Sequence, residues 1–260
     1  MRHRALGSMM IAALAVAVLW LAPSPAAGQS KAYTPPKAWD GHADLQGIWQ
    51  ARNTANESVE AHNASLGVAA GRGVIVDPPD GKIPYQASAL AKRSDNFKNR
   101  ATGDSVNHCY MPGTPRLMYM PYPFQIFQTA KYIIIASEYV HTIRTIYVDG
   151  SKHLEGLDFW LGDSRGHWEG DTLVVDVNAF NDMTWFDKSG NYHSDMMHVT
   201  ERFTRTAPDI LTYEATIEDP KVFTRPWRIS MPLYLHTEPN FRLLEYECHS
   251  YMEDAARGGN

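Results

Sequence analysis

Two ionisable side chains stand out because they fall on apolar strand faces. Over residues 199–205, Val199, Glu201 and Phe203 share one face of an extended chain, while Thr200, Arg202 and Thr204 share the other. The apolar face is expected to point inward, which makes Glu201 a buried carboxylate. Over residues 139–148, Val140, Arg144, Ile146 and Val148 share a face, so Arg144 is expected to be buried as well. An isolated buried charge is costly, and two opposite charges would partly compensate each other. Such a pair offers an internal anchor for a polar ligand group, or a carboxylate tuned for proton transfer. The plainer alternative is a structural ion pair.

Three histidines extend the set. His193 and His198 bracket Ser194-Asp195-Met196-Met197 ahead of the strand that carries Glu201, and His153 follows the Asp149-Gly150 turn. Imidazoles beside a carboxylate are the material of a general-base cluster, or of a metal site with an open position. The spacing does not select a metal. His193 and His198 are five residues apart, on opposite faces of a regular strand, and neither His-Glu-x-x-His nor His-x-His occurs. No metal ligand is assigned. Asp163-Ser164 and Ser194 lack the Gly-x-Ser-x-Gly elbow of a serine hydrolase. Glu169 and Asp171 flank Gly170 and read as a solvated hairpin tip, not as the facing carboxylates of a glycosidase. No phosphate-cradling glycine loop or dinucleotide fingerprint is present, so the cofactor stays open.

Aromatic residues supply apolar contact. Tyr147, Phe159, Trp160, Trp168, Trp185, Phe186 and Trp227 fall near expected strand ends and turns. Rings at a barrel mouth suit an apolar or aromatic ligand. Trp160, Trp185 and Phe186 sit in loop-like Gly/Asp/Asn surroundings. With Tyr147, they are the candidate ligand contacts.

These groups need a β framework to position them. Residues 45–49 read as a first strand, and residues 53–73 as a polar loop rich in Ala and Gly. Residues 87–100 read as a helix with Leu90 and Phe97 on one face, and residues 112–123 as a Pro-rich stretch. From Phe124 onward, runs at 126–137, 139–148, 166–168, 172–177, 199–205, 211–217, 227–231 and 241–248 are rich in β formers and separated by turn signals. Amphipathic helices do not alternate with them, which disfavours a parallel α/β sheet. The expected fold is mainly β: an antiparallel lipocalin-like barrel or sandwich with an N-terminal loop/helix insertion.

Composition narrows the compartment and partners. Of 260 residues, 44% are hydrophobic and 11% aromatic, enough for a sizeable core. The net charge of -5, with no polybasic cluster, offers no broad cationic face to nucleic acid or an anionic membrane. Arg2 and Arg4, an apolar run over 9–21, and small residues ahead of Gln29 read as a signal peptide over residues 1–28. Residues 29–43 read as an extended leader and residues 44–255 as a single β-rich domain, periplasmic or secreted, with no later membrane span. Export would favour pairing Cys109 with Cys248, the alternative being two separate buried thiols.

The segments DLQGIW, CYMPGTPR, IYVDG, HWEGDTLVVD, HSDMMHVTERF, IEDPKVFTRPW and LLEYECH occur in that order. Together, over residues 44–249, the chain resembles a family of exported bacterial β-rich proteins that are largely uncharacterised. Where that pattern often has Arg-x-His, this chain has Ser151-Lys152-His153. The family implies export and a β fold, and no activity. Gly47-Ile48-Trp49 also resembles the Gly-x-Trp of lipocalin-type barrels.

Three functions follow as expectations. The first is an exported barrel holding an apolar or aromatic small molecule with an Arg/Glu/His polar anchor. The second is a periplasmic lyase, isomerase or hydrolase, with His153, His193 or His198 as base and Arg144 and Glu201 beside it. The third is an envelope interaction protein without a pocket.

Overall fold

The computed structural model describes residues 33–256. The expected signal peptide and the first residues of the leader lie outside them. The strands are β1 (Gly47–Ala51), β2 (Ile75–Asp77), β3 (Phe124–Gln128), β4 (Tyr132–Ser137), β5 (Ile143–Tyr147), β6 (Asp163–Glu169), β7 (Thr172–Asn178), β8 (His198–Ala207), β9 (Ile210–Glu218) and β10 (Trp227–Leu235). Nine of them close in the order β1-β3-β4-β5-β6-β7-β8-β9-β10, with β10 pairing back onto β1, and β2 adds to β10 outside that ring. The expected barrel is present, and the sandwich alternative is not.

Alternation builds the core. Val199, Glu201 and Phe203 of β8, Leu211, Tyr213, Ala215 and Ile217 of β9, and Trp227, Ile229, Met231 and Leu233 of β10 point inward and are buried, with their neighbours in sequence outside. Trp49, Phe124, Ile126, Ile133, Ile135, Ile146, Val175 and Val177 complete the lining. The interior is packed with side chains, as in other small barrels. Pro232 is tolerated within β10 because β2 reaches only Arg228 and Ile229 and β1 only Leu233 and beyond. On that edge its missing N–H breaks no ladder.

One pairing departs from the antiparallel expectation. β5 and β6 run parallel and share only Ile146↔Ser164 and Tyr147↔Arg165, because residues 148–162 bring the chain back beside the C-terminal end of β5 and leave its first residues unpaired with β6. Gly166 permits this close approach: a Cβ there would lie 2.9 Å from both Ile146 and Val148. At Gly162 the backbone takes φ +70° and a Cβ would meet Val177 and Phe180 at 2.6 and 2.7 Å, so only glycine turns the chain into β6 without strain.

Three local expectations change. Residues 87–100 form a 3-10 turn, then α1 (Leu90–Lys98), then the start of α2 (Arg100–Gly103). The face of Leu90 and Phe97 is not buried, at 51% and 46% exposure. The segment is held by polar ties instead: Asn96 to the Gly190 carbonyl, Arg93 to Asn191, and the Tyr192 hydroxyl to the Ala89 carbonyl. Val140 has φ 44° in a 3-10 turn, so β5 starts only at Ile143. Residues 241–247 form no strand, because β1 and β10 have already closed the sheet and no barrel edge is free to receive them. Their Tyr246 packs on Tyr122 and Tyr139, and α3 (Cys248–Ala256) follows. Cys109 and Cys248 are joined in a disulfide with Cα atoms 5.7 Å apart. Among the described residues, no helix is long and apolar enough to cross a membrane.

Candidate functional site

The alternation that buries Glu201 and Arg144 also brings them together. Arg144 Nη1 donates to Glu201 Oε1 at 3.0 Å, and Nη2 donates to Oε2. Arg144 Nε and Nη2 also reach Ser164 Oγ, at 3.2 and 3.0 Å, and the Tyr213 hydroxyl donates to Glu201 Oε1 at 2.7 Å. All four side chains are buried. Burial opposes the Arg144 charge, but the adjacent Glu201 carboxylate outweighs it and holds the guanidinium above its ordinary pKa. Burial, and then the Glu201 charge, push the Tyr213 phenol well above its usual value. This is a bidentate, satisfied ion pair inside the wall of the barrel.

The short β5–β6 seam leaves a cleft of about 350 Å³ on the outside, at the size where small-molecule sites begin. Ile143, Thr145 and Tyr147 project from the outer face of β5. Leu154, Asp158, Phe159, Trp160 and Leu161 come from the crossing loop, and Arg144 and Ser164 line the cleft between them. The apolar wall is open to solvent: Ile143 is 66% and Leu154 50% exposed. Trp160 is half-buried and stacks on Tyr110 with centroids 4.9 Å apart, and the Arg165 guanidinium lies 4.4 Å from the Tyr147 ring. Tyr147 and Trp160 were legible as candidate contacts. Ile143, Leu154, Tyr110 and Asp158 were not singled out, although Ile143 alternates with Arg144 and Ile146 and so had to be an exposed isoleucine.

A polar rail borders this cleft. Asp163 on β6, Asp176 on β7 and His198 on β8 are carried on the outer barrel face, and His153 reaches across from the crossing loop. His153 Nδ1 lies 2.9 Å from Asp163 Oδ2 and its Nε2 lies 2.9 Å from Asp176 Oδ2. His198 Nε2 contacts Asp176 Oδ1, and its Nδ1 lies 3.7 Å from Glu218. The Leu154 N–H donates to Asp163 at 3.0 Å, and Arg165 lies 3.1 Å from the same oxygen. Burial alone would raise the Asp176 carboxyl, but hydrogen bonds from His153 and His198 hold it below the ordinary range. Both ring nitrogens of His153 are engaged, so the rail fastens the loop instead of presenting a free base. Among the described residues, no group of three or more His, Cys, Asp or Glu side chains is arranged to hold a metal ion.

The remaining candidates lie elsewhere. His193 is buried between Phe180 and Phe186, with Nδ1 2.9 Å from the Ser194 carbonyl and Nε2 2.8 Å from Thr184 Oγ1. Burial lowers its pKa. Donation from Nδ1 leaves Nε2 to accept the Thr184 hydroxyl. Ser194 Oγ donates to Asp219 at 2.9 Å, so Ser194, His193 and an aspartate form no relay. Trp185 and Phe186 are core residues despite their Gly- and Asn-rich neighbourhood, because the loop that carries them folds over the barrel end; Phe186 packs edge-on to Trp227. Glu169 pairs with exposed Arg202 at the hairpin tip. Two further buried polar groups carried no pattern in sequence: Arg116 binds Asp104 bidentately at 2.8 and 2.9 Å and donates to Asn56, and burial pushes Asp187 up to about 6.

The chain matches no protein-family profile, no curated protein and no solved structure. The closed barrel is loosely compatible with a lipocalin-type architecture.

Proposed function

We propose that the protein is an exported barrel that binds a small, largely apolar or aromatic molecule. The observation that supports this most directly is the solvent-open apolar cleft over the β5–β6 seam, walled by Ile143, Tyr147, Leu154, Phe159 and Trp160. Exposed isoleucine and leucine beside a half-buried tryptophan are unfavourable in water, and covering them with a flat ring would recover that free energy. Arg144, Glu201 and Ser164 stiffen the floor, so the polar anchor expected inside the barrel becomes a foundation beneath an outer site. His153 acts through the loop it fastens. The disulfide suits the oxidising compartment that the N-terminal sequence suggests.

The test is titration with naphthalen-2-ylmethanol, a neutral flat probe, followed by fluorescence and by chemical-shift mapping. Saturable binding with shifts at Ile143, Tyr147 and Trp160 is expected. Trp160→Ala and Ile143→Asp should weaken it by roughly tenfold or more, the scale of a lost aromatic or buried aliphatic contact. Trp39→Ala, at an exposed position outside the cleft lining, should leave it unchanged. Binding indifferent to both cleft variants would refute the assignment.

A further inference from the structure

The cleft also carries a charge preference. Asp158 lies on its rim, exposed, beside Phe159 and Trp160. Among the described residues, its carboxylate has no hydrogen-bond or ion-pair partner. The other charged groups lining the cleft are paired in place: Arg144 with Glu201, and Asp163 with Arg165. Arg165, the cation at the Tyr147 ring, is itself held by Asp163. The site therefore presents aromatic faces, aliphatic wall and one uncompensated negative charge.

We infer that the ligand is a cationic aromatic or aliphatic amine, seated with its ammonium toward Asp158 and its apolar body against Ile143, Leu154 and Trp160. An ammonium is drawn both to a carboxylate and to the negative face of an aromatic ring, most strongly to tryptophan, and here the two lie within the three residues Asp158-Phe159-Trp160. A carboxylate or phosphate ligand would meet Asp158 with like charge, and among the cleft-lining cations Arg144 is already committed to Glu201. This inference rests on the cleft being the binding site, and it adds the sign of the ligand's charge.

The experiment compares three probes on one ring system: naphthalen-2-ylmethylammonium, naphthalen-2-ylmethanol and 2-naphthoate. The ammonium should bind more tightly than the alcohol by roughly fivefold, the effect of one exposed charge pair with a cation–π contact. The naphthoate should be weakest, and the preference should shrink as salt screens the charge. Asp158→Asn should cut the ammonium advantage to the share that the Trp160 ring supplies, and Asp158→Lys should turn the preference toward naphthoate. Equal ammonium and alcohol affinities, both lost in Trp160→Ala, would overturn the charge inference and keep the cleft. An ammonium preference that Asp158→Asn does not reduce would also overturn it. Failure of all three probes to bind in the cleft would overturn both readings.

Discussion

Replacing Glu201 by glutamine tests whether the buried pair underpins the barrel. The substitution keeps the shape and one acceptor, so Tyr213 and Arg144 Nη1 can still donate to Oε1. At the other position an NH2 group now faces Arg144 Nη2, donor against donor, and the guanidinium stays buried without a counter-charge. Removing one member of a buried pair costs about 3–5 kcal/mol. With a urea m-value of ~3 kcal/mol/M for a chain of this size, the unfolding midpoint should fall by about 1–1.7 M. Glu169→Gln removes an exposed partner of Arg202 and should leave the midpoint unmoved. The combined variant Arg144→Met, Glu201→Leu, Tyr213→Phe, Ser164→Ala removes the charges and both stranded hydroxyls together. It should unfold closer to wild type than Glu201→Gln alone, because apolar replacements of a whole buried network leave no orphaned charge. The assay is equilibrium urea unfolding, followed by far-UV circular dichroism with the disulfide intact. A Glu201→Gln shift no larger than that of Glu169→Gln would refute the reasoning, as would a combined variant less stable than the single one.

Two further outcomes follow from buried Asp187 and half-buried His153. Asp187 has its carboxyl raised by burial to about 6, against 3.8 for the ordinary group, so the folded protein binds a proton there more readily than the unfolded chain. This group's contribution is therefore most favourable below pH 4 and is lost as pH rises through 6, by ~3 kcal/mol in all. The stability of wild type relative to Asp187→Asn should fall between pH 4 and 7, read from urea midpoints at each pH; a flat difference would contradict the burial account. His153→Phe cuts the crossing loop from Asp163 and Asp176, so amide hydrogen exchange should accelerate over residues 153–162 and not in β8–β10. Unchanged exchange there would show that the rail does not fasten the loop.

Period-two alternation was enough, in sequence, to place Arg144 and Glu201 on inward faces, while the Glu169-Gly170-Asp171 turn signal identified the hairpin tip and runs of β formers between turns gave a mainly β fold. Each of those features depends on neighbours only a few residues away. Closure of β1 on β10 was not legible, and with it went the fate of residues 241–247, which have strand-like composition but no barrel edge to join. Nor was the parallel β5–β6 seam legible, since alternation reports the face a side chain takes and not which strand lies beside it. The cleft is a product of that seam: Ile143 and Trp160 line one cleft only because residues 148–162 bring the chain back beside β5. Likewise His153 and His198, separated by two strands in the chain, converge on Asp176 through the register of β6, β7 and β8. Trp185 and Phe186 show the converse. Polar neighbours in sequence suggested a surface loop, while long-range packing put both rings in the core.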